Sequence, residues 1–339
     1  MRPSCHPPEA PERQSLRRMR VRGLADWDSP SAPFTPEDPM RAEQITDPIA
    51  YHGEGPVWSE HWSGDQREEH AGQQAGRQRG PHDGLRWVDM LAGDILSVSE
   101  ACVHRQHVGS GGGAGGRGGG GGGGGGAGGG PPPPPPHGAI TTLPEVWGSA
   151  AVRMNEGGCD PDGRFYCGSM AYDQSPGAAS LYRFDPDGRV EVVFGGVTVS
   201  NGLEWSPDGS LAYYNDTPTG QVSVFDYDAE NGLRDPRVFV QLPDGGLPDG
   251  LTVDAEGGVW VAVVNRGAVH RYRPDGRLDE VVEVPASKVT ACTFGGAHLD
   301  RLYITTSQED VSTEEDPLAG SLFVADAGVR GLPTRVFAG

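Results

Sequence analysis

Four oxygen-bearing side chains stand close to glycine in short, similar contexts: Glu54 in HGEGPVW, Asn155 in RMNEGG, Asn201 in SNGLEW and Asp249 in PDGLTV. Asn155, Asn201 and Asp249 follow one another at intervals of 46 and 48 residues, and Glu54 precedes Asn155 by 101, about two such intervals. Residues that recur once per structural repeat converge when the repeats are arranged around an axis. Glu54, Asn201 and Asp249 would then offer two carboxylates and an amide oxygen, a hard donor set suited to Ca²⁺, Mg²⁺ or Mn²⁺, with water completing the shell. Zn²⁺ and Fe²⁺ stay open, because the set has no imidazole or thiolate to select among metals. The competing reading is local: Asn201 and Asp249 would cap tight turns by bonding to their own backbone.

The elements that must carry these groups announce themselves through turns. One series runs DPDGR at 160–164, SPDGS at 206–210 and DAEGG at 254–258; a second runs out of phase, with Gly188, Gly232 and Gly276 spaced by 44 residues each time. Short aromatic and aliphatic strands follow each turn. This period predicts an all-β propeller built from four-stranded blades. A two-sheet sandwich would explain the short strands but not the period.

The surrounding chain is less regular. Residues 1–39 are proline-rich and read as a disordered extension, with Met40 a plausible alternative start; 40–339 reads as the propeller domain. That domain is interrupted by a polar stretch at 59–83 and by a low-complexity Gly/Pro segment at 105–138. Polyglycine has too much backbone entropy to lose, and proline has no N–H for a sheet ladder. Blade-like sequence on both sides makes these stretches read as out-of-frame translation of GC-rich coding sequence, and the first two blades are expected to be irregular or damaged.

With 27 basic against 47 acidic side chains, the formal charge of −20 disfavours nucleic acid as a partner. No stretch approaches the roughly 20 apolar residues of a membrane helix. The five cysteines lack metal-site spacing and read as thiols in a reducing compartment, so a cytoplasmic location is expected. The nucleophile-elbow and HExxH motifs are absent. His52 and His270 are conceivable proton carriers, although isolated histidines are more often packing residues. Trp58, Trp87, Trp205 and Trp260 read as packing between strands, and Cys159 and Cys167 as apolar neighbours across a turn.

Five runs in order, GEGPVW, RMNEGGCDPDGRFYCGSM, SNGLEWSPDGSLAYYND, PDGLTVDAEGGVWVA and CTFGGAHLDRLYITT, resemble signatures of the SMP-30/gluconolactonase/luciferin-regenerating family. The resemblance implies a six-bladed β-propeller and a divalent-metal site made by Glu54, Asn201 and Asp249. It also implies that Arg153 and Asn155 hydrogen-bond a sugar lactone, and that Asp173 stands near a position where relatives carry a substrate-contacting glutamate. Glu156 replaces the family's usual aspartate, and Gly158 stands where lysine is common. The activity implied is metal-dependent opening of an aldonolactone, such as gluconolactone, to the aldonic acid, with Asp249 orienting or deprotonating water. A Ca²⁺-binding regulatory or scaffold propeller without turnover, or a metal-dependent esterase on another substrate, is the alternative. A monomer is expected, with a small homo-oligomer as the variant.

Overall fold

The computed structural model describes residues 19–20, 40–59, 82, 84–99, 102–108, 146 and 149–339. Apart from positions 19–20, 59, 82 and 105–108, the N-terminal extension, the polar stretch and the Gly/Pro segment lie outside the described residues.

Three two-residue strands, β1 (Met19–Arg20), β2 (Met40–Arg41) and β3 (Glu43–Gln44), precede the blades. Blade one is β4 (Gly53–Trp58), β5 (Leu85–Asp89), β6 (Asp94–Ser99) and β7 (Cys102–His107). Blade two is β8 (Val152–Cys159), β9 (Phe165–Ala171), β10 (Ala179–Phe184) and β11 (Val190–Val197). Blade three is β12 (Ser200–Trp205), β13 (Leu211–Asp216), β14 (Gln221–Asp228) and β15 (Gly232–Gln241). Blade four is β16 (Pro248–Val253), β17 (Val259–Val263), β18 (Ala268–Tyr272) and β19 (Leu278–Glu283). Blade five takes β20 (Val289–Gly295), β21 (Arg301–Thr306) and β22 (Phe323–Asp326) from the end of the chain, and β3 from its start as the fourth strand. β2 adds to β19 in parallel and β1 to β7 antiparallel. Residues 40–44 thus stitch blades four and five together.

The strands β4, β8, β12, β16 and β20 line the axis and meet in cyclic order, closing a ring. Among the described residues the propeller has five blades, which corrects the six expected. The physical reason lies in the interval between β7 and β8. It is one repeat long but carries the Gly/Pro tract, whose glycines lack the alternating apolar side chains and whose prolines lack the N–H donors that a further blade needs.

Apolar clusters form between neighbouring blades because each sheet is buried on both faces, as in the fully buried β17. Trp260, Phe294 and Phe323 bind blades four and five, and Trp58, Leu96 and Tyr303 bind blades one and five. Trp205 is fully buried, edge-on to Tyr166 at 5.4 Å and Tyr227 at 5.8 Å, so it joins blades two and three. All four tryptophans singled out in the sequence are buried here, and each is worth several kcal/mol, about 3–5 on truncation to alanine. Cys159, Cys167 and Cys292 are free thiols. Among the described residues no helix is long and apolar enough to cross a membrane.

The turn series behaves as its chemistry requires. The Asp160 carboxylate accepts the N–H groups of Asp162 (2.9 Å) and Arg164 (2.8 Å), and Asp254 accepts those of Glu256 (2.9 Å) and Gly258 (2.8 Å). Turn capping therefore falls to these aspartates. Asn201 and Asp249 are left for other work.

Candidate metal centre

Each axial strand carries a register irregularity at the same level: between Glu54 and Val57, Met154 and Gly157, Ser200 and Leu203, Pro248 and Leu251, and Val289 and Ala291. A bulge breaks strict alternation and re-aims side chains, and these five lie where the candidate ligands sit. The glycines after Asn201 and Asp249 have a steric cause. A Cβ on Gly202 would stand 2.6 Å from the Leu251 nitrogen, and one on Gly250 would stand 2.5 Å from the Ala291 Cβ. The backbone of the next axial strand occupies that space, so the ring closes only if the residue beside the ligand has no side chain.

At this level Glu54, Glu156 and Asp249 converge, with one carboxylate oxygen from each within 4.8 Å of the others. They lie at the cavity of about 450 Å³ that opens on one face of the ring, with Glu54 and Asp249 in its lining beside Arg153, Asn155 and Asn201. Glu156 Oε2 and Asp249 Oδ1 are buried and have no hydrogen-bond partner. Unpaired buried oxygens are costly, and three converging carboxylates of which two keep an oxygen without a donor fit a bound cation. Burial lifts the Glu54 carboxyl to about 7, opposed by the Gly55 N–H and Arg153. Burial also raises Asp249 and Glu156 well above the ordinary carboxylate range. For Asp249 the charges of Glu54 and Glu156 add to it, and for Glu156 those of Glu54 and Glu204. Three acids that resist ionisation individually can ionise together when a divalent charge is among them.

Asn201 is oriented by a directional chain. Arg153, a donor only, gives Nη1–H to Asn155 Oδ1 at 2.6 Å; Asn155 Nδ2 gives to Asn201 Oδ1 at 2.8 Å. Asn201 Nδ2 then gives to Thr217 Oγ1 at 2.6 Å, and the Thr217 hydroxyl gives to the Pro248 carbonyl, an acceptor only, at 2.8 Å. With a pure donor at one end and a pure acceptor at the other, neither amide can flip. The Asn201 oxygen keeps one lone pair beyond the bond from Asn155.

His52 sits beside Glu54, with Nε2 at 3.7 Å from Oε1 and Nδ1 at 2.8 Å from Ser307 Oγ. Burial, then Arg153 and Lys288, push its pKa down to about 4, with Asp89 opposing, so it is neutral near pH 7.

Of the residues marked in the sequence, Glu54, Arg153, Asn155, Asn201 and Asp249 line one cavity. Asn155 spends both amide hydrogens on Ser200 O (2.7 Å) and Asn201 Oδ1, so it orients the amide of Asn201. Asp173 is exposed and its carboxylate accepts the Ser175 N–H at 3.0 Å; its neighbour Gln174, at φ 53°, lines the cavity. His270 lies on β18 against Tyr272, with Nδ1 3.2 Å from its hydroxyl. Sequence reasoning missed Glu156 as a third carboxylate, although it stood next to Asn155. Strict strand alternation would send one of the two away from the axis, and only the bulge brings in the second. Thr217 was missed as well, since a threonine after a strand carries no signal of its own.

Residues 52–308 match the family described as SMP-30/Gluconolactonase/LRE-like region. Regucalcin of Danio rerio is 39% identical over 210 residues, which is 59% of this chain and 71% of that protein. Among solved structures, a calcium-binding regucalcin from Agrobacterium tumefaciens superposes with a TM-score of 0.70 at 21% identity, covering 88% of this chain and 98% of that one. A gluconolactonase from Xanthomonas campestris superposes with a TM-score of 0.55 at 20% identity, again covering 88% and 98%. At these identities the superpositions speak for the fold alone.

Proposed function

The chain belongs to the SMP-30/gluconolactonase/LRE-like family, and from that premise we propose that it is a divalent-metal-dependent hydrolase that opens a sugar lactone to the aldonic acid. The observation that carries this reading is the pair of unpartnered, buried carboxylate oxygens on Glu156 and Asp249, gathered with Glu54 beside the cavity. Glu54, Glu156 and Asp249 would hold the ion, with the Asn201 oxygen as a neutral donor. A bound divalent cation supplies Lewis-acid polarisation of the lactone carbonyl.

The chain's own groups supply the rest. Asp249 lines the cavity, and the carboxylate oxygen not spent on the ion would take the proton of the attacking water. The water oxygen joins the carbonyl carbon, the ring C–O bond breaks, and the ring oxygen leaves as a hydroxyl carrying that proton. Arg153 is held at Nη1 by Asn155 and by the Met154 carbonyl at 3.0 Å, and offers its remaining N–H groups to the ring oxygens or the carboxylate product. Neutral His52 adds no charge that would compete with a cation.

A second reading takes its support from the Agrobacterium tumefaciens relative described as calcium-binding: the same oxygen set would hold Ca²⁺ without turnover. One experiment separates them. The full chain is stripped with chelator, reloaded with Ca²⁺, Mg²⁺, Mn²⁺ or Zn²⁺, and assayed for acid release from a panel of aldonolactones. Metal-dependent release abolished by Asp249→Asn supports the hydrolase. Saturable Ca²⁺ binding with no release from any lactone supports the binding propeller and refutes the hydrolase.

A further inference from the structure

The last ten residues, 330–339, bond to residues outside the cavity lining, at the ends of the strands away from it. They touch all five described blades. The Arg330 carbonyl accepts from the Ala255 N–H (2.8 Å) in blade four, and the Gly331 N–H gives to the Leu299 carbonyl (2.7 Å) in blade five. Thr334 Oγ1 gives to the Trp58 carbonyl (2.6 Å) in blade one, and the Ala338 N–H gives to the Gly163 carbonyl (3.0 Å) in blade two. In blade three Arg335 gives Nη1–H to the Glu204 carboxylate (2.7 Å) and Nη2–H to the Ser206 carbonyl (3.1 Å). Every one of these contacts is at the end of the ring away from the candidate ligands. The tail is a strap that closes the axis from below.

Arg335 is the one charged side chain of the strap that reaches inward to a carboxylate of an axial strand, and both partners are largely covered, at 20% and 31% exposure. Glu204 stands three positions after Asn201 on β12, roughly 10 Å further along an extended strand. It is the one carboxylate of β12, whose Asn201 stands beside the triad. Its charge is among those acting on Glu156. β8 and β12 are in contact at this depth, because a Cβ on Gly158 would stand 2.7 Å from the Leu203 carbonyl oxygen.

We propose that Arg335 is a positioning residue for the metal centre: carried in by the C-terminal strap, it neutralises Glu204 and so sets how strongly the triad above holds a divalent cation. The proposal rests on the reading of Glu54, Glu156 and Asp249 as a cation site. Burial raises the Glu204 carboxyl and Arg335 is the first group opposing that rise, so at a pH high enough to keep Glu204 ionised, loss of Arg335 leaves one uncompensated negative charge near the triad and the site binds a divalent cation more tightly. The same loss removes a tie between blades. A strap that served only as a tie would weaken the fold and leave affinity unchanged or lower, so the two effects move in opposite directions only if the charge matters.

The test is calorimetric titration of Ca²⁺ into the chelator-stripped full chain, with thermal denaturation of the metal-free protein alongside. Arg335→Gln is expected to tighten Ca²⁺ binding roughly fivefold, as for one charge near 10 Å in a high effective dielectric, while lowering the metal-free melting temperature. Glu204→Gln keeps an acceptor for Arg335 and is expected to weaken Ca²⁺ binding by a similar factor, and Arg335→Lys to stay near wild type. The double variant is expected to return toward wild-type affinity. If Arg335→Gln does not fold, the weakening in Glu204→Gln still decides. Wild-type binding with unchanged affinity in Arg335→Gln or in Glu204→Gln overturns the role of the strap and leaves the cation site standing. Failure of the wild-type chain to bind any Ca²⁺ overturns both.

Discussion

Asp249→Asn should make the metal-free protein more stable while it removes metal binding. The substitution keeps the shape of the side chain and deletes one charge from three carboxylates whose nearest oxygens lie within 4.8 Å. At an effective dielectric of about 20, two unit charges at that distance repel by about 3 kcal/mol. Burial opposes ionisation of all three carboxyls, so the relief is a fraction of the full two-pair repulsion, on the order of 2 kcal/mol. For a chain of this size that corresponds to a rise of roughly 2–4 °C per kcal/mol in melting temperature. The assay is thermal denaturation in chelator and again in millimolar Ca²⁺ or Mn²⁺. Wild type should melt low in chelator and gain markedly with metal, whereas Asp249→Asn should start higher and gain nothing. A lower melting temperature for Asp249→Asn in chelator, or an undiminished metal-induced gain, would refute the argument that these carboxylates repel one another and await a cation.

Three further outcomes follow from the same geometry. Thr217→Val removes the acceptor for Asn201 Nδ2, which should cost about 1–3 kcal/mol of stability and weaken metal binding several-fold by freeing the amide to turn; denaturation and calorimetry check both. Gly250→Ala would put a Cβ 2.5 Å from Ala291 Cβ and 2.9 Å from Glu156 Oε1, so about 1–3 kcal/mol of overpacking and a displaced carboxylate are expected, read as lower melting temperature and weaker Ca²⁺ binding. The pH dependence of the metal-free protein has two opposed parts. Glu54, raised to about 7, binds more protons folded than unfolded, so its contribution is full below its unfolded value near 4.5 and is lost as pH rises toward 7. His52, lowered to about 4, does the reverse: its contribution is full above its unfolded value near 6.5 and is lost as pH falls toward 4. Removing the second in His52→Gln should leave a metal-free melting temperature that falls more steeply between pH 4.5 and 6.5 than in wild type; an identical slope would count against the buried, neutral histidine.

The parts of this protein legible in its sequence are those governed by local chemistry. Asp160 and Asp254 cap turns through their own neighbouring N–H groups, and the recurring Gly188, Gly232 and Gly276 all adopt positive φ, so the propeller period could be read without any tertiary contact. The ligand-then-glycine pairs at Asn201 and Asp249 were equally visible, since they repeat at the blade interval. What folding alone decided is which groups meet across blades. The bulge in β8 brings Glu156 to the triad, pure donor and pure acceptor ends lock Asn155 and Thr217 around Asn201, and Asp173 turns outward to a backbone N–H while Gln174 enters the cavity. The blade count was decided the same way. A period counts repeats along the chain, but a blade exists only where its strands find apolar partners and ladder donors, and those belong to the assembled ring.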